Sequence, residues 1–330
     1  MNSFGRIFRI SIFGESHGPG IGIIVDGCPA GIQLAEDNFN EDLIRRKSGG
    51  PGTTPRREED IPEILSGVFN GHTTGTPITV LVRNKNVRSS DYEALKETPR
   101  PGHADFVAMK KWGGFADWRG GGHFSGRLTT SLVIAGVIAK KIIDPVRCNA
   151  KLIEAGGISD IESAIKHAIE GQDSIGGIVE CRISDLPAGL GEPFFDSIES
   201  VLSHIIFSIP AIKGIEFGSG FNAAKMKGSE HNDKIISIDG KTQTNYSGGI
   251  DGGISNSNEI VFRVAVKPAS SIPKEQRTMN IKTGEMVDMK IEGRHDLCIA
   301  LRVPVVLEAA AAIVIADFMM LENKIARINK

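Results

Sequence analysis

The amino-acid sequence predicts an α+β protein, and three observations carry that prediction. Segments of strict apolar alternation, such as Glu259 to Lys267, are interspersed with apolar stretches of helical length, such as Leu307 to Ile328. Strands and helices mix along the whole chain without the regular strand–helix–strand beat of a parallel α/β fold. Glycine-rich segments are clustered rather than periodic, and no stretch has the composition of a linker, so a single domain over residues 1–330 is expected.

In chain order, Arg6 to Phe13 reads as a strand with Ile10 and Ile12 on one face. It runs into a tight loop, Gly14 to Gly18, and a second strand from Gly20 to Val25 ends at Asp26-Gly27. Ala35 to Arg46 reads as a helix, because Glu36 and Asp37 suit its first turn and Arg45 and Arg46 its last. Lys47 to Arg57 is a Gly/Pro/Thr loop, Pro77 to Val82 a strand, and Asn84 to Gly102 polar and turn-rich. The glycine run Arg119 to Gly122 feeds a helix from Thr129 to Ile142. Alternation marks strands at Gly176 to Ile183, at Glu259 to Lys267 and at Val287 to Glu292. Ser197 to Ser208 and Leu307 to Ile328 read as helices. Asp160 to Asp173 and Lys225 to Asp233 have the least ordered composition.

Composition limits the function. The formal net charge is −2, which argues against a nucleic-acid or membrane-surface partner, so any anion binding must come from local arginines. Four cysteines without a C-x-x-C pair, and an N-terminus without a signal-peptide core, point to a reducing cytoplasmic setting. The apolar stretch Pro304 to Leu321 is interrupted by Glu308 and Asp317, which fits a buried helix rather than a membrane span. Histidines are scattered without metal-ligand spacing, so no metal is expected.

Five segments can carry chemistry. Glu15-Ser16-His17-Gly18 places an imidazole in a glycine-bracketed loop, as a general acid or as a turn histidine bonded to backbone. Arg45-Arg46 and the loop with Thr53, Thr54, Arg56 and Arg57 could hold phosphate or carboxylate, or could be ordinary helix C-terminal charge. Arg100-Pro101-Gly102-His103-Ala104-Asp105 sets a second imidazole in a rigid turn. Asp117 to Arg127 is a glycine run opening a helix, where bare N–H donors favour an anion; it is neither G-x-G-x-x-G nor a Walker A loop. Lys267-Pro268-Ala269-Ser270-Ser271 and Gly293-Arg294-His295-Asp296 each follow an alternating strand. If the second strand continued that far, Arg294, His295 and Asp296 could not all face one site. Together these residues suit an enzyme for a multiply charged small molecule.

In that order the segments RISIFGESHG (Arg9 to Gly18), RPGHAD (Arg100 to Asp105), Asp117 to Arg127, SGGIDGGISN (Ser247 to Asn256), Lys267 to Ser271 and GRHDLCIALRVP (Gly293 to Pro304) resemble the chorismate synthase family from Gly5 to about Ala310. The resemblance implies a β-α-β sandwich with helices packed between antiparallel sheets, in a homotetramer. It implies a lyase that converts 5-enolpyruvylshikimate 3-phosphate to chorismate by 1,4-anti elimination of phosphate, using reduced FMN, with NADPH or an external flavin reductase as the source of electrons. His17 would protonate the departing phosphate, His103 would protonate the reduced flavin near N1, and Asp296 would keep flavin N5 basic. Ser16, Arg46, Arg119 and Arg127 would bind substrate. His123, Phe124, Ser125, Pro210, Ala211, Gly252, Lys267, Pro268, Ala269, Ser270, Ser271 and Arg294 would bind the flavin. The chain departs from the family pattern at His123-Phe124, at Pro210, at Asp296-Leu297 and in the loop after Arg46, where a second arginine is missing. A flavin-dependent reductase on the same scaffold is the alternative.

Overall fold

A computed structural model describes residues 2–54, 58–85, 95–291 and 295–323. In the N-terminal part, strands β1 (Ser3–Phe4), β2 (Arg9–Gly14), β3 (Gly20–Asp26) and β4 (Pro62–Ser66) are followed by a hairpin of β5 (Val68–Phe69) and β6 (His72–Thr73), then by β7 (Ile78–Arg83). β8 (Arg147–Ala155), β9 (Gly177–Ser184) and β10 (Ile212–Phe217) come next, then the hairpin of β11 (Ile250–Asp251) and β12 (Ile254–Ser255). β13 (Ile260–Val266) and the ribbon of β14 (Gln276–Met279) and β15 (Met286–Met289) complete the strands. The helices are α1 (Asn40–Arg46), α2 (Asp105–Lys111), α3 (Thr129–Ile142), α4 (Ile161–Gly171), α5 (Ile198–Ile206), α6 (Gly228–His231) and α7 (Val303–Leu321).

Two antiparallel sheets sandwich a helical layer. The first has the order β1-β2-β3-β7-β4 and the second β10-β13-β9-β8. α3 and α7 pack on each other, with α3 against β3 and α7 against β8 and β9. The α+β sandwich expected from the family is therefore the fold observed. Strand alternation explains the layers: Ile21, Ile23 and Val25, like Ile260, Phe262, Val264 and Val266, turn inward and are buried. Each such side chain contributes about 1.5–3 kcal/mol of burial. Gly136 lets α3 reach α7, since a Cβ there would fall 2.3 Å from the Ala309 Cβ. Helix α7 is buried over nearly its whole length, as its sequence suggested. The segment Ile299–Leu321 is long and apolar enough to cross a membrane, and 78% of its apolar window is covered by protein.

Several expected boundaries move for identifiable reasons. The strand expected from Arg6 is β2, which starts at Arg9 because the N–H groups of Arg6, Ile7 and Phe8 donate to the buried Asp317 carboxylate instead of a ladder. The helix expected over Ala35 to Arg46 is a 3₁₀ turn, Glu36–Phe39, running into α1. The last helix begins four residues earlier than expected, with Pro304 in its first turn where a missing N–H costs nothing; residues 324–330 lie outside the described residues. Asp160 to Asp173 holds α4, capped by Asp160 on the Ser163 N–H at 3.2 Å and closed by Gln172 at φ 49°. Lys225 to Asp233 likewise contains the single turn of α6.

Candidate active site

The loop after β2 carries Ser16 and His17 and is fastened at three points. Ser16 N–H donates to Gly122 O at 3.1 Å, and the Asn84 amide donates to Glu15 O and Gly18 O at 3.0 and 2.9 Å. His17 is buried beside the glycine run. Gly120 has φ +58°, and a Cβ there would lie 2.4 Å from His17 Cδ2, 2.6 Å from its Nε2 and 3.0 Å from Ser16 Oγ. Gly121 has φ +81° and stands against the other imidazole, a Cβ there lying 3.3 Å from His103 Cε1 and 3.5 Å from its Nε2. Bare backbone thus separates His17 from His103, which is why glycines rather than larger residues stand there.

His103 follows the Arg100-Pro-Gly turn. Arg100 forks Asp105 through Nε and Nη2 at 2.7 and 2.8 Å and reaches Ser271 Oγ at 3.0 Å. Burial works against the Asp105 charge, but the bonds from Arg100 and His103 outweigh it and hold its pKa well below the usual carboxylate range. Lys267 Nζ and Ser270 Oγ both donate to Gly102 O, so the 267–271 loop locks onto the same turn. Burial, and then the nearby Lys213, lower the Lys267 pKa.

The cationic wall is built on Asp60, a residue not picked out by sequence. This buried carboxylate, at φ 47°, receives Arg127 Nη1 at 2.6 Å and Arg46 Nη1 at 3.3 Å. Arg46 Nε also donates to Thr129 Oγ1, and Arg127 Nε donates to Asn84 Oδ1. Burial, reinforced by Arg302, pushes the Arg46 pKa down to about 9, with Asp60 opposing the shift. Arg127 Nη2 is buried and has no hydrogen-bond partner among the described residues. Asp296 accepts the Thr54 N–H at 2.8 Å and Arg302 Nη1 at 3.1 Å, and Arg302 Nε donates to Arg46 O at 2.9 Å.

These groups surround one cavity of about 950 Å³. Ser16, Arg46, Arg127, His103, Asp296, His123 to Ser125, Pro210, Ala211 and Lys267 to Ser271 all line it. His17 stands behind Gly120, which lines it. His295 and Asp296 both face the cavity, because β15 ends at Met289 and the strand-alternation argument lapses before it reaches them. Other expected site residues fall elsewhere. Arg119 forks Asp117 and is not part of the lining. Gly252 sits in the β11–β12 turn, away from the lining. Arg45 turns from the site to Glu308. Arg56, Arg57 and Arg294 lie outside the described residues. His123 is held by Gly14 O at 2.8 Å and Asn2 Oδ1 at 3.2 Å, and Phe124 packs on Trp112.

A deep cavity with a guanidinium wall at one side and imidazoles and a carboxylate around it defines an enzyme for a polyanionic small molecule, built on an α+β sandwich. Comparison with known proteins makes the class specific. The sequence profile of the family described as chorismate synthase matches residues 8–320, and the chain belongs to that family. A chorismate synthase from Chitinophaga pinensis is 64% identical over 331 residues, covering 100% of both chains. One from Korarchaeum cryptofilum is 46% identical over 96% of this chain and 97% of its own. A solved structure titled "Crystal Structure of Chorismate Synthase" has a TM-score of 0.76 and 27% identity, covering 97% of this chain and 93% of that one. The chain is thus a lyase of the shikimate pathway, and its full-length match disfavours a flavin reductase on the same scaffold.

Proposed function

We propose that this cavity eliminates phosphate from 5-enolpyruvylshikimate 3-phosphate with the help of reduced FMN, and that residues 1–330 act as one domain. The observation that carries the reading is the pairing of a single large cavity with a charge-hungry wall. Small-ligand pockets span roughly 300–1,000 Å³, and about 950 Å³ puts this cavity at the upper end of that range, which supports a flavin nucleotide beside a substrate. Arg127 Nη2 is a buried donor in want of an acceptor, the role a substrate phosphate or carboxylate oxygen fills. Lys267, beside Lys213 and the hydroxyls of Ser270 and Ser271, suits the flavin phosphate. Ser125, Pro210, Ala211, Pro268 and Ala269 offer small surfaces against a ring, and His123 and Phe124 contribute shape rather than free polar atoms.

Reduced FMN, when bound, supplies electron density to the allylic system and recovers it, so the elimination needs no net oxidant. The chain's own residues do the rest. His17 holds a proton for the departing phosphate oxygen, with Ser16 beside it. Arg46 and Arg127 neutralise charge that grows as the C–O bond breaks, in a setting that excludes water and strengthens every such contact. Asp296 places a carboxylate beside Arg302 on the cavity lining, and His103 an imidazole against Gly121. Arg119 and Gly252 would serve substrate and flavin only through their backbone or through a neighbouring subunit. The family resemblance supports a cytoplasmic homotetramer, with NADPH or an external flavin reductase supplying electrons.

Anaerobic incubation of the pure protein with reduced FMN and the phosphorylated substrate should release phosphate and chorismate in equal amounts. No release at saturating reduced flavin would overturn the proposal. His17→Ala and Asp296→Ala should each lower kcat about 10²-fold or more, and near-normal turnover would remove that residue's role. Comparing NADPH with dithionite as reductant separates self-reduction from an outside source.

A further inference from the structure

His103 Nδ1 stands between two partners with opposite demands. Asp105 Oδ1 lies 2.6 Å away and Arg100 Nη2 lies 3.0 Å away. A neutral imidazole nitrogen carries either a lone pair or an N–H, never both. A bare Nδ1 would set its lone pair against a carboxylate oxygen at 2.6 Å with no proton between them. Arg100 Nη2 carries two N–H groups and already donates one to Asp105 Oδ1 at 2.8 Å, so the closer carboxylate makes the stronger demand on Nδ1. Asp105 cannot move aside. Its Oδ2 is held by Arg100 Nε at 2.7 Å and by the Arg100 N–H at 3.1 Å, and its side chain is 9% exposed.

We propose that Asp105 is a positioning residue for the reaction: it holds a proton on His103 Nδ1, so that Nε2 is the atom that exchanges a proton with the cavity. The Cε1–Nε2 edge of the ring faces the bare backbone of Gly121, and His103 is part of the cavity lining. The proton balance is simple. The imidazolium gives its Nε2 proton to an acceptor in the cavity and becomes the neutral Nδ1–H form, while Asp105 remains a carboxylate throughout. Arg100 acts one step further out, fixing Asp105 and binding Ser271 of the 267–271 loop, so that one guanidinium sets both the imidazole and the adjoining wall. The inference deepens the proposed function and rests on its placing His103 in the proton chemistry.

The test is the tautomer of His103, read by ¹⁵N NMR on the full chain labelled at histidine, with His103→Gln used to assign the signal. In the wild type, the neutral ring should show a protonated Nδ1 and a bare Nε2. The opposite pattern, with Nδ1 accepting from Arg100, would overturn the proposal without any variant. In Asp105→Asn, the side-chain amide can donate toward Nδ1, so the ring should change to the Nε2–H form. Turnover should fall by about 10²-fold or more, the scale of a lost general acid–base group, with KM for the phosphorylated substrate changed by less than about threefold. An unchanged tautomer in Asp105→Asn, or a changed tautomer with normal turnover, would also overturn it. Normal turnover in His103→Gln would instead refute the proposed role of His103 itself, so the two failures are distinguishable.

Discussion

Replacing Gly120 by alanine tests whether bare backbone between the two histidines is what the site requires. The added Cβ would sit 2.4 Å from His17 Cδ2, against an ordinary carbon–carbon contact of about 3.5–4.0 Å. The ring must therefore retreat by about 1 Å or more, or the glycine run must back away from it. Neither is cheap, because Ser16 N–H is tied to Gly122 O, and Glu15 and Gly18, on either side of the Ser16-His17 pair, are held through Asn84. A misplacement of about 1 Å can cost about 10²-fold in rate, and the left-handed backbone at φ +58° adds about 1–2 kcal/mol of strain. Phosphate release under anaerobic conditions with reduced FMN should show kcat down by about 10²-fold in Gly120→Ala, with a lowered melting temperature. Gly171→Ala is the control. That glycine ends α4 with open space around its Cβ position, and alanine there should stabilise by about 0.5–1 kcal/mol without touching turnover. Wild-type kcat and melting temperature in Gly120→Ala would refute the reasoning.

Arg127→Lys should raise KM for the phosphorylated substrate about tenfold or more, because an ammonium cannot serve Asp60, Asn84 and a ligand at once; an unchanged KM would show that Nη2 is not offered to substrate. Glu308 is buried, which alone would raise its pKa, yet Arg45, Lys140 and the Ala150 N–H hold it below its ordinary value, and Asp60 is lowered against burial by Arg46 and Arg127. Groups depressed in the folded state stabilise fully above their unfolded values, about 4.3 for Glu and 3.9 for Asp, and lose that contribution as pH falls through the lower folded values. The melting temperature should thus be nearly flat above about pH 5 on account of these groups and should fall below about pH 4. Glu308→Ala leaves Arg45 and Lys140 with Asp42 alone and takes the acceptor from the Ala150 N–H, and should cost about 1–3 kcal/mol in urea unfolding at pH 7; an unchanged midpoint would contradict that.

Strands whose two faces meet different surroundings were legible in the sequence. β9 and β13 alternate cleanly, and Val179, Cys181, Ile183, Ile260, Phe262, Val264 and Val266 are all buried. β8 and β10 were not, because a bulge between Leu152 and Glu154 and another between Ile212 and Gly214 break the alternation that betrays a strand. α4 does carry a helical stripe, Ile161, Ala164, Ile165, Ala168 and Ile169, which the polar composition around it obscures. At the site, residues in glycine-rich motifs could be found because close backbone approach leaves a compositional mark. Asp60 left none, and Arg302, although it lies in GRHDLCIALRVP, had nothing there to assign it a role. The importance of each comes from partners distant in sequence: Arg127 for Asp60, Arg46 for Arg302. Arg119 shows the converse, a cation in a telling motif whose side chain turns to the nearby Asp117.

Three polar side chains along the last helix fasten parts of the molecule that are far apart in sequence: Arg302 at its N-cap, Glu308 within it and Asp317 near its end. At 1.5 Å per residue they mark points about 9 and 22 Å along a common axis. A one-residue insertion between any two would swing the later anchors about a third of a turn around the helix and unhook them together. Changes in chain length are therefore expected to fall outside the stretch from Arg302 to Asp317. The helix works as a graduated spine, intolerant of any change in the spacing of its marks.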